Sequence, residues 1–322
     1  MLRCPKVSVL MPVHNAEGFV AQAVESILGQ TFGDFEFIII DDGSTDGSLT
    51  VLRHFEGKDS RVRLISRANT GYVVALNEML PMARGEFLAR MDADDIAAPQ
   101  RIELQVKYLA GHPQCVVVGC RSRLIDIDGC VIKVLQQPLT HGAIEAAMLS
   151  GASFMNHPTV VMRASAVRRA DGYRVAFEPA EDLDLFLRLG EQGELANLPE
   201  VLLSYRVHTA NVSRMRAEQQ VNAAARAIAE ACARRGLENS RPTVRREPAK
   251  PGDCHAEWAK MAAQAGFHST ARKHALKAFA HAPLAYRTWR SIGYTWAPTP
   301  FVHAAGNVMR AIRGARRAAP VQ

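Results

Sequence analysis

The sequence predicts an α/β fold, a mostly parallel sheet flanked by helices, followed by an α-helical C-terminal extension. Three observations carry this. Compact apolar runs alternate with amphipathic stretches through the first hundred residues, as strands and crossover helices do. Polar clusters follow three of those runs, at Pro12–Asn15, Asp41–Asp42 and Asp92–Asp95, so a parallel sheet brings all three to one rim. Beyond residue 216 the composition turns Ala-rich and basic.

The elements follow in order. Lys6–Pro12 is apolar enough for a strand buried on both faces. Val20, Val24, Ile27 and Leu28 line one helical face. Phe35–Ile40 is a second strand, and Ser44 is placed to N-cap the helix through Leu49, Leu52 and Phe55. Val62–Ser66 is a third strand. Asn69–Gly71 opens a helix through Leu76 and Leu80 that closes at Arg84–Gly85. Phe87–Met91 is a short buried strand ending in Asp92, Asp94 and Asp95. Pro99 suits the first turn of the next helix, with Ile102, Val106 and Leu109 on its apolar side. Cys115–Gly119 is a strand, and 124–134 alternates around Asp128–Gly129 as a hairpin. A helix at 140–149, a strand at 159–162, a helix opening at Ala180–Asp182 and a last strand at 198–206 complete residues 1–216. Residues 217–235 are helical in character, 237–253 reads as a linker, and 255–281 as further helices.

The chain of 322 residues carries a net charge of +7, but unevenly: residues 1–216 balance at −4 and residues 217–322 at +11. No acidic residue follows Glu257. No apolar run approaches the roughly 20 residues of a membrane span, and the first residues lack the apolar region of a signal peptide, so a cytoplasmic protein is expected. Six scattered cysteines without a Cys-x-x-Cys pair argue against a zinc site or a disulfide framework. Neither Gly-x-Gly-x-x-Gly nor Gly-x-x-x-x-Gly-Lys-[Ser/Thr] is present, which speaks against a dinucleotide fold or a phosphate loop.

Carboxylates crowded past a buried strand repel one another unless a cation joins them. Hard divalent ions take such oxygen ligands together with substrate phosphates. The alternative reading is a solvated acidic turn.

Taken together, these pieces resemble the inverting family 2 glycosyltransferases with the GT-A fold. Val9–Asn15 is similar to the family's opening strand and loop, and Asp41–Ser44 to its nucleotide-binding turn. Arg90–Asp95, with Pro99 and Arg101 after it, resembles the Asp-x-Asp element, and Ala180–Asp182 with Leu185 and Arg188 the acceptor-side Glu-Asp motif. Tyr205–His208 with Asn211 and Ser213 looks like the closing segment. His14 and Ala16 depart from the pattern, where many relatives carry an aromatic and an acidic residue.

The resemblance implies transfer of a sugar from a nucleoside-diphosphate donor, UDP- or dTDP-linked, to a hydroxyl of a saccharide or lipid-linked saccharide. It implies inversion, and a place in cell-surface polysaccharide or glycolipid assembly. Mg²⁺ or Mn²⁺ would be held by Asp94, with Asp92 sharing the metal or binding the donor ribose and His208 approaching the metal or diphosphate. Asp95 serves either site or is a capping or solvated carboxylate. Asp42 faces the uracil or ribose edge, with Asp41 as support; Pro12 and Asn15 shape the nucleotide pocket, unless Pro12 only ends the strand. Asp182 is the general base and Glu181 its neighbour in orienting the acceptor; the alternative is an acidic first turn on a helix dipole. Asp184 is a solvated helix residue, His157 a core histidine, and Arg90 a diphosphate ligand or an ion-pair partner.

Phe301, Val302, Ala305, Val308, Met309 and Ile312 share a helical face near Arg310, Arg313, Arg316 and Arg317, with Trp289, Tyr294 and Trp296 upstream. This suits peripheral contact with the inner face of an anionic membrane, or a helix packed back on the catalytic domain. No nucleic-acid motif is present. A nucleotidyltransferase and an inactive sugar-nucleotide-binding scaffold are the competing classes.

Overall fold

The computed structural model describes residues 4–209, 216–238 and 250–296. Its centre is a nine-stranded sheet, β1 (Val7–Val13), β2 (Phe35–Asp42), β3 (Val62–Arg67), β4 (Phe87–Arg90), β5 (Ile96–Ala97), β6 (Cys115–Ile125), β7 (Val131–Val134), β8 (Val161–Arg163) and β9 (Glu194–Arg206). The strand order is β3-β2-β1-β4-β8-β6-β9-β5, with β7 paired to β6. The expected α/β sheet is therefore present, in mixed form. β3, β2, β1 and β4 run parallel, whereas β8 pairs antiparallel with both β4 and β6, and β5 with β9. The chain steps from β1 to β2 and β3 on one side and to β4 on the other, so a crevice opens beyond the β1 and β4 carboxyl ends.

Strand periodicity explains the burial. In β2, Phe35, Phe37 and Ile39 enter one core, while Ile38 and Ile40 enter the other. The first core is covered by α1 (Val20–Leu28), α2 (Ser48–Glu56) and α4 (Arg101–Gly111). The second takes α3 (Tyr72–Met82), α5 (His141–Ser150), α6 (Ala164–Arg169), α7 (Glu181–Gly190) and α8 (Ala217–Arg235).

Several local expectations are corrected. Ser44 does not cap α2: Gly47 stands there without a side-chain bond, and the Ser44 hydroxyl accepts the Asn15 N–H at 3.0 Å. Pro99 precedes the α4 cap, Gln100, rather than entering the first turn. Asp184 is not solvated; it is 1% exposed and paired with Arg174 and with Arg188, the latter at 2.7 Å. Removing one partner from such a pair strands a buried charge. Asp184→Ala is expected to cost roughly 3 kcal/mol, read from the urea denaturation midpoint.

The described chain forms two units, 4–122, 135–206 and 216–238 in the first, 123–134, 207–209 and 250–296 in the second. The division expected at 216/217 falls elsewhere because α8 completes the first unit's core with Ala227, Ile228 and Ala231. In the second unit the 123–134 hairpin is tied to α10 (His268–His281), where Lys273 reaches both Asp126 and Asp128 at 2.5 Å. Alanines of α9 (Pro251–Gln264) and α10 are buried, Trp258 of α9 meets the His274 ring of α10 edge to face at 5.2 Å, and α11 (Tyr286–Trp296) follows. The linker expected at 237–253 is already helical from Pro251; its residues 239–249 lie outside the described residues. So do Asn211, Ser213 and the arginine-bearing stretch 301–317. Among the described residues, no helix is long and apolar enough to cross a membrane.

Candidate active site

At the β1 end, Pro12 lies opposite Ile40 of β2. Leu10 accepts the Met91 N–H, so residues 10 and 12 address β4, whose ladder ends at Arg90. A proline is tolerated there because no strand remains to receive its missing donor. Asn15 follows at φ 50°, and its side-chain oxygen accepts the Thr45 N–H at 2.8 Å. His14 Nδ1–H donates to the Asp42 carbonyl at 2.9 Å.

Asp41 and Asp42 end β2 and are both buried. Asp41 accepts the Ser66 hydroxyl at 3.0 Å, a supporting bond within the sheet. Asp42 accepts the Thr70 and Gly71 N–H groups, each at 2.9 Å, and pairs with Arg67. Gly43 at φ +71° lets the 68–69 turn approach, since a Cβ there would meet the Asn69 nitrogen at 2.5 Å. Asp42 thus fixes the edge where residues 14, 15 and 69–71 gather.

Past β4, ligand oxygens of Asp92, Asp94 and Asp95 lie within 4.8 Å of one another. Arg90, 3% exposed, donates to Asp92 at 2.6 Å. Burial, then the neighbouring Asp94 charge, raise the Asp92 carboxyl, against the pull of Arg90. Asp95 is fully buried, which excludes the solvated reading. Its Oδ1 accepts the Arg206 N–H at 2.8 Å, while its buried Oδ2 has no hydrogen-bond partner among the described residues. Burial, then Asp94 and Asp92, hold its carboxyl well above the usual range. Arg206 also donates to the Asp94 carbonyl at 2.8 Å, and Arg101, fully buried, donates to the Arg90 carbonyl at 2.6 Å. Three crowded carboxylates, one with an orphaned buried oxygen, form a hard-oxygen donor set that fits Mg²⁺ or Mn²⁺.

Glu181 and Asp182 open α7. Glu181 is 3% exposed; burial first, then Asp182, push it up to about 8, while the neighbouring Tyr72 hydroxyl opposes the rise. Burial pushes Asp182 up to about 6, with its Oδ1 accepting the Leu183 N–H at 2.7 Å. His157 lies 3.7 Å from Glu181 and bonds the Tyr173 hydroxyl at 2.8 Å. Burial, then Arg90, push His157 well below its usual value, so it is neutral. A carboxyl raised on folding stabilises fully below its unfolded value, and that contribution is lost as pH rises through the folded one. Glu181→Gln is therefore expected to raise Tm relative to the parent at pH 9 and not at pH 4. A calorimetric gain of at least about 3 °C at pH 9 corresponds to roughly 1 kcal/mol in domains of this size.

The two carboxylate groups share the field of Arg90. Its charge lowers both Asp92 and Asp182, and the Asp92 charge raises Asp182. Tyr205 of β9 senses Asp95, Asp92, Asp94 and Asp182 together, after burial as the larger cause of its raised value. Sequence reasoning assigned no role to Tyr72, Tyr205 or Arg206. Only Tyr205 and Arg206 lay in a recognised segment, and their partners are distant in sequence. His208 follows Arg206 by two residues and belongs to the second unit.

The crevice beyond the β1 and β4 ends, the acidic cluster there and the Glu-Asp helix start define a GT-A glycosyltransferase. Residues 8–169 match the model of glycosyl transferase family 2, and the chain belongs to that family. An uncharacterized glycosyltransferase of Haemophilus influenzae is 36% identical over 221 residues, 65% of this chain and 67% of that protein. The putative glycosyltransferase EpsE of Bacillus subtilis is 37% identical over 63% of this chain and 73% of its own length. The O-antigen biosynthesis glycosyltransferase WbnJ of Escherichia coli is 35% identical over 63% of this chain and 80% of its own. Among solved structures, S. aureus TarS 1–349 in complex with UDP superposes with a TM-score of 0.57 at 17% identity, covering 90% of this chain and 89% of that one. The mannosyltransferase PcManGT from Pyrobaculum calidifontis, in complex with GDP-Man and Mn²⁺, gives 0.57 at 20% identity, covering 98% and 83%.

Proposed function

We propose that the protein transfers a sugar from a UDP- or dTDP-sugar to a hydroxyl of a saccharide or lipid-linked saccharide, with inversion, in cell-surface polysaccharide or glycolipid assembly. The observation that carries this is a metal-type carboxylate set, its Asp92 paired with Arg90 at 2.6 Å, together with a separate Glu-Asp pair in the field of the same arginine. A binding scaffold needs no second pair.

Asp182 takes the acceptor proton as the hydroxyl oxygen bonds to the anomeric carbon, and the opposite carbon–oxygen bond breaks with its electrons leaving on the diphosphate. A carboxyl raised to about 6 is a stronger base than an ordinary aspartate and is still ionised at neutral pH. Glu181, raised to about 8, keeps its proton there and can donate it to the acceptor. Asp94, with Asp92, would hold Mg²⁺ or Mn²⁺, which would neutralise charge developing on the leaving diphosphate. Asp95 supports that set through its second oxygen, and Asp42, Pro12 and Asn15 frame the nucleotide.

The reading places the protein in the cytoplasm, with peripheral contact at the inner face of the membrane through its basic C-terminal stretch. Calorimetric titration with UDP, dTDP and GDP, with and without Mn²⁺, tests the donor site. Metal-dependent binding of UDP or dTDP is expected; a folded protein that binds no nucleotide would remove the reading.

A further inference from the structure

Helix α11 is turned against the usual pattern. It buries Thr288, Ser291 and Thr295 and leaves Tyr286, Trp289 and Trp296 exposed, at 76%, 56% and 51%. On α10 the outward stripe is Arg272, Leu276 and Phe279, spaced as one helical face, with Leu276 60% and Phe279 39% exposed. Leu284, in the turn between the helices, is 94% exposed.

These stripes form one surface. Phe279 and Trp289 meet edge to face at 5.6 Å near the turn, and the Arg272 guanidinium lies 6.0 Å from the Trp296 ring at the other end. Cations border it: Arg290 is exposed on α11, and Arg287 is 71% exposed although Asp253 lies 3.3 Å from it, while Lys277 of α10 is 3.7 Å from Asp128. The sequence carries no acidic residue from 258 to 322, and four arginines between 310 and 317.

Exposed aromatic and aliphatic side chains on this scale mark an interaction surface. Aromatic rings interleaved with cations, and no carboxylate in either helix, fit an interface with apolar depth and negative charge at its rim. We propose that the α10–α11 face docks on an anionic lipid surface, inserting Leu276, Phe279, Leu284, Tyr286, Trp289 and Trp296 among the headgroups while the cations meet lipid phosphates. The proposal rests on the functional reading only in supplying a place where a lipid-linked acceptor is met.

The test uses the full chain with vesicles of phosphatidylcholine alone and of phosphatidylcholine with phosphatidylglycerol. Binding to the anionic vesicles is expected to be about tenfold tighter or more and to weaken with salt. Lipids brominated in the acyl chain should quench tryptophan fluorescence. A Leu284→Ser/Tyr286→Ser/Trp289→Ser variant should lose at least tenfold in vesicle affinity while keeping its circular dichroism and nucleotide binding. Absence of vesicle binding by the parent chain overturns the proposal. Equal binding by parent and variant also overturns it, because residues 297–322 would then carry the contact. A parent dimer that dissociates in the variant, with no vesicle binding, assigns the face to a second copy instead. Nucleotide titration of the same samples is independent of all these arms, so loss of the donor-site reading would be seen separately.

Discussion

Replacing Asp182 by asparagine is expected to lower turnover by roughly 10²–10⁴-fold, the range a positioned general base contributes. Asparagine keeps the shape of the side chain and an oxygen for the Leu183 N–H, now accepted at 2.7 Å. Fold and donor affinity should therefore hold, and the loss should fall on kcat. The pH profile gives a second reading. The parent enzyme's kcat/KM should rise with pH through about 6, where the Asp182 carboxyl, lifted by burial, loses its proton. Because Glu181 and Asp182 interact, that limb belongs to the pair rather than to one residue. A turnover loss below tenfold in Asp182→Asn, with donor affinity unchanged, would remove Asp182 from the role of base.

Asp94→Ala is expected to abolish the advantage that Mn²⁺ gives to nucleotide binding, about 100-fold or more, because a bound metal contributes several kcal/mol of charge stabilisation at a diphosphate. Nucleotide binding measured without metal should change little, since Asp42, Asn15 and the 69–71 turn are untouched. The substitution also relieves repulsion: the Asp94 charge raises both Asp92 and Asp95. The metal-free variant should thus unfold at a temperature no lower than the parent. A drop in Tm together with lost binding would point to damage to the fold rather than to a missing ligand. Mn²⁺ dependence equal to the parent's would place the metal on other residues.

The sequence by itself determined the layered α/β unit and the rim. The compact apolar run Lys6–Pro12 reads as a strand buried on both faces, which β1 is, and parallel strands send Pro12, Asp42 and Asp92–Asp95 to the same end. The Glu-Asp pair at a helix start was legible too, as a motif in order. Protonation and partnership were not legible. Asp95 is orphaned on one oxygen and bound on the other because Arg206, 111 residues away, folds over it. Asp184 and Asp182 sit two residues apart on one helix turn. The first is neutralised by Arg174 and Arg188, whereas the second faces Asp92 and Arg90. A carboxylate's chemistry depends on desolvation and on charges brought from other elements, and neither is a property of local sequence. The reversal of the sheet beyond β4 was likewise decided by tertiary pairing, where β8 runs antiparallel between β4 and β6. The outward aromatics of α11 were not legible either: their spacing is written in the chain, but only packing shows that Thr288, Ser291 and Thr295 are the buried face.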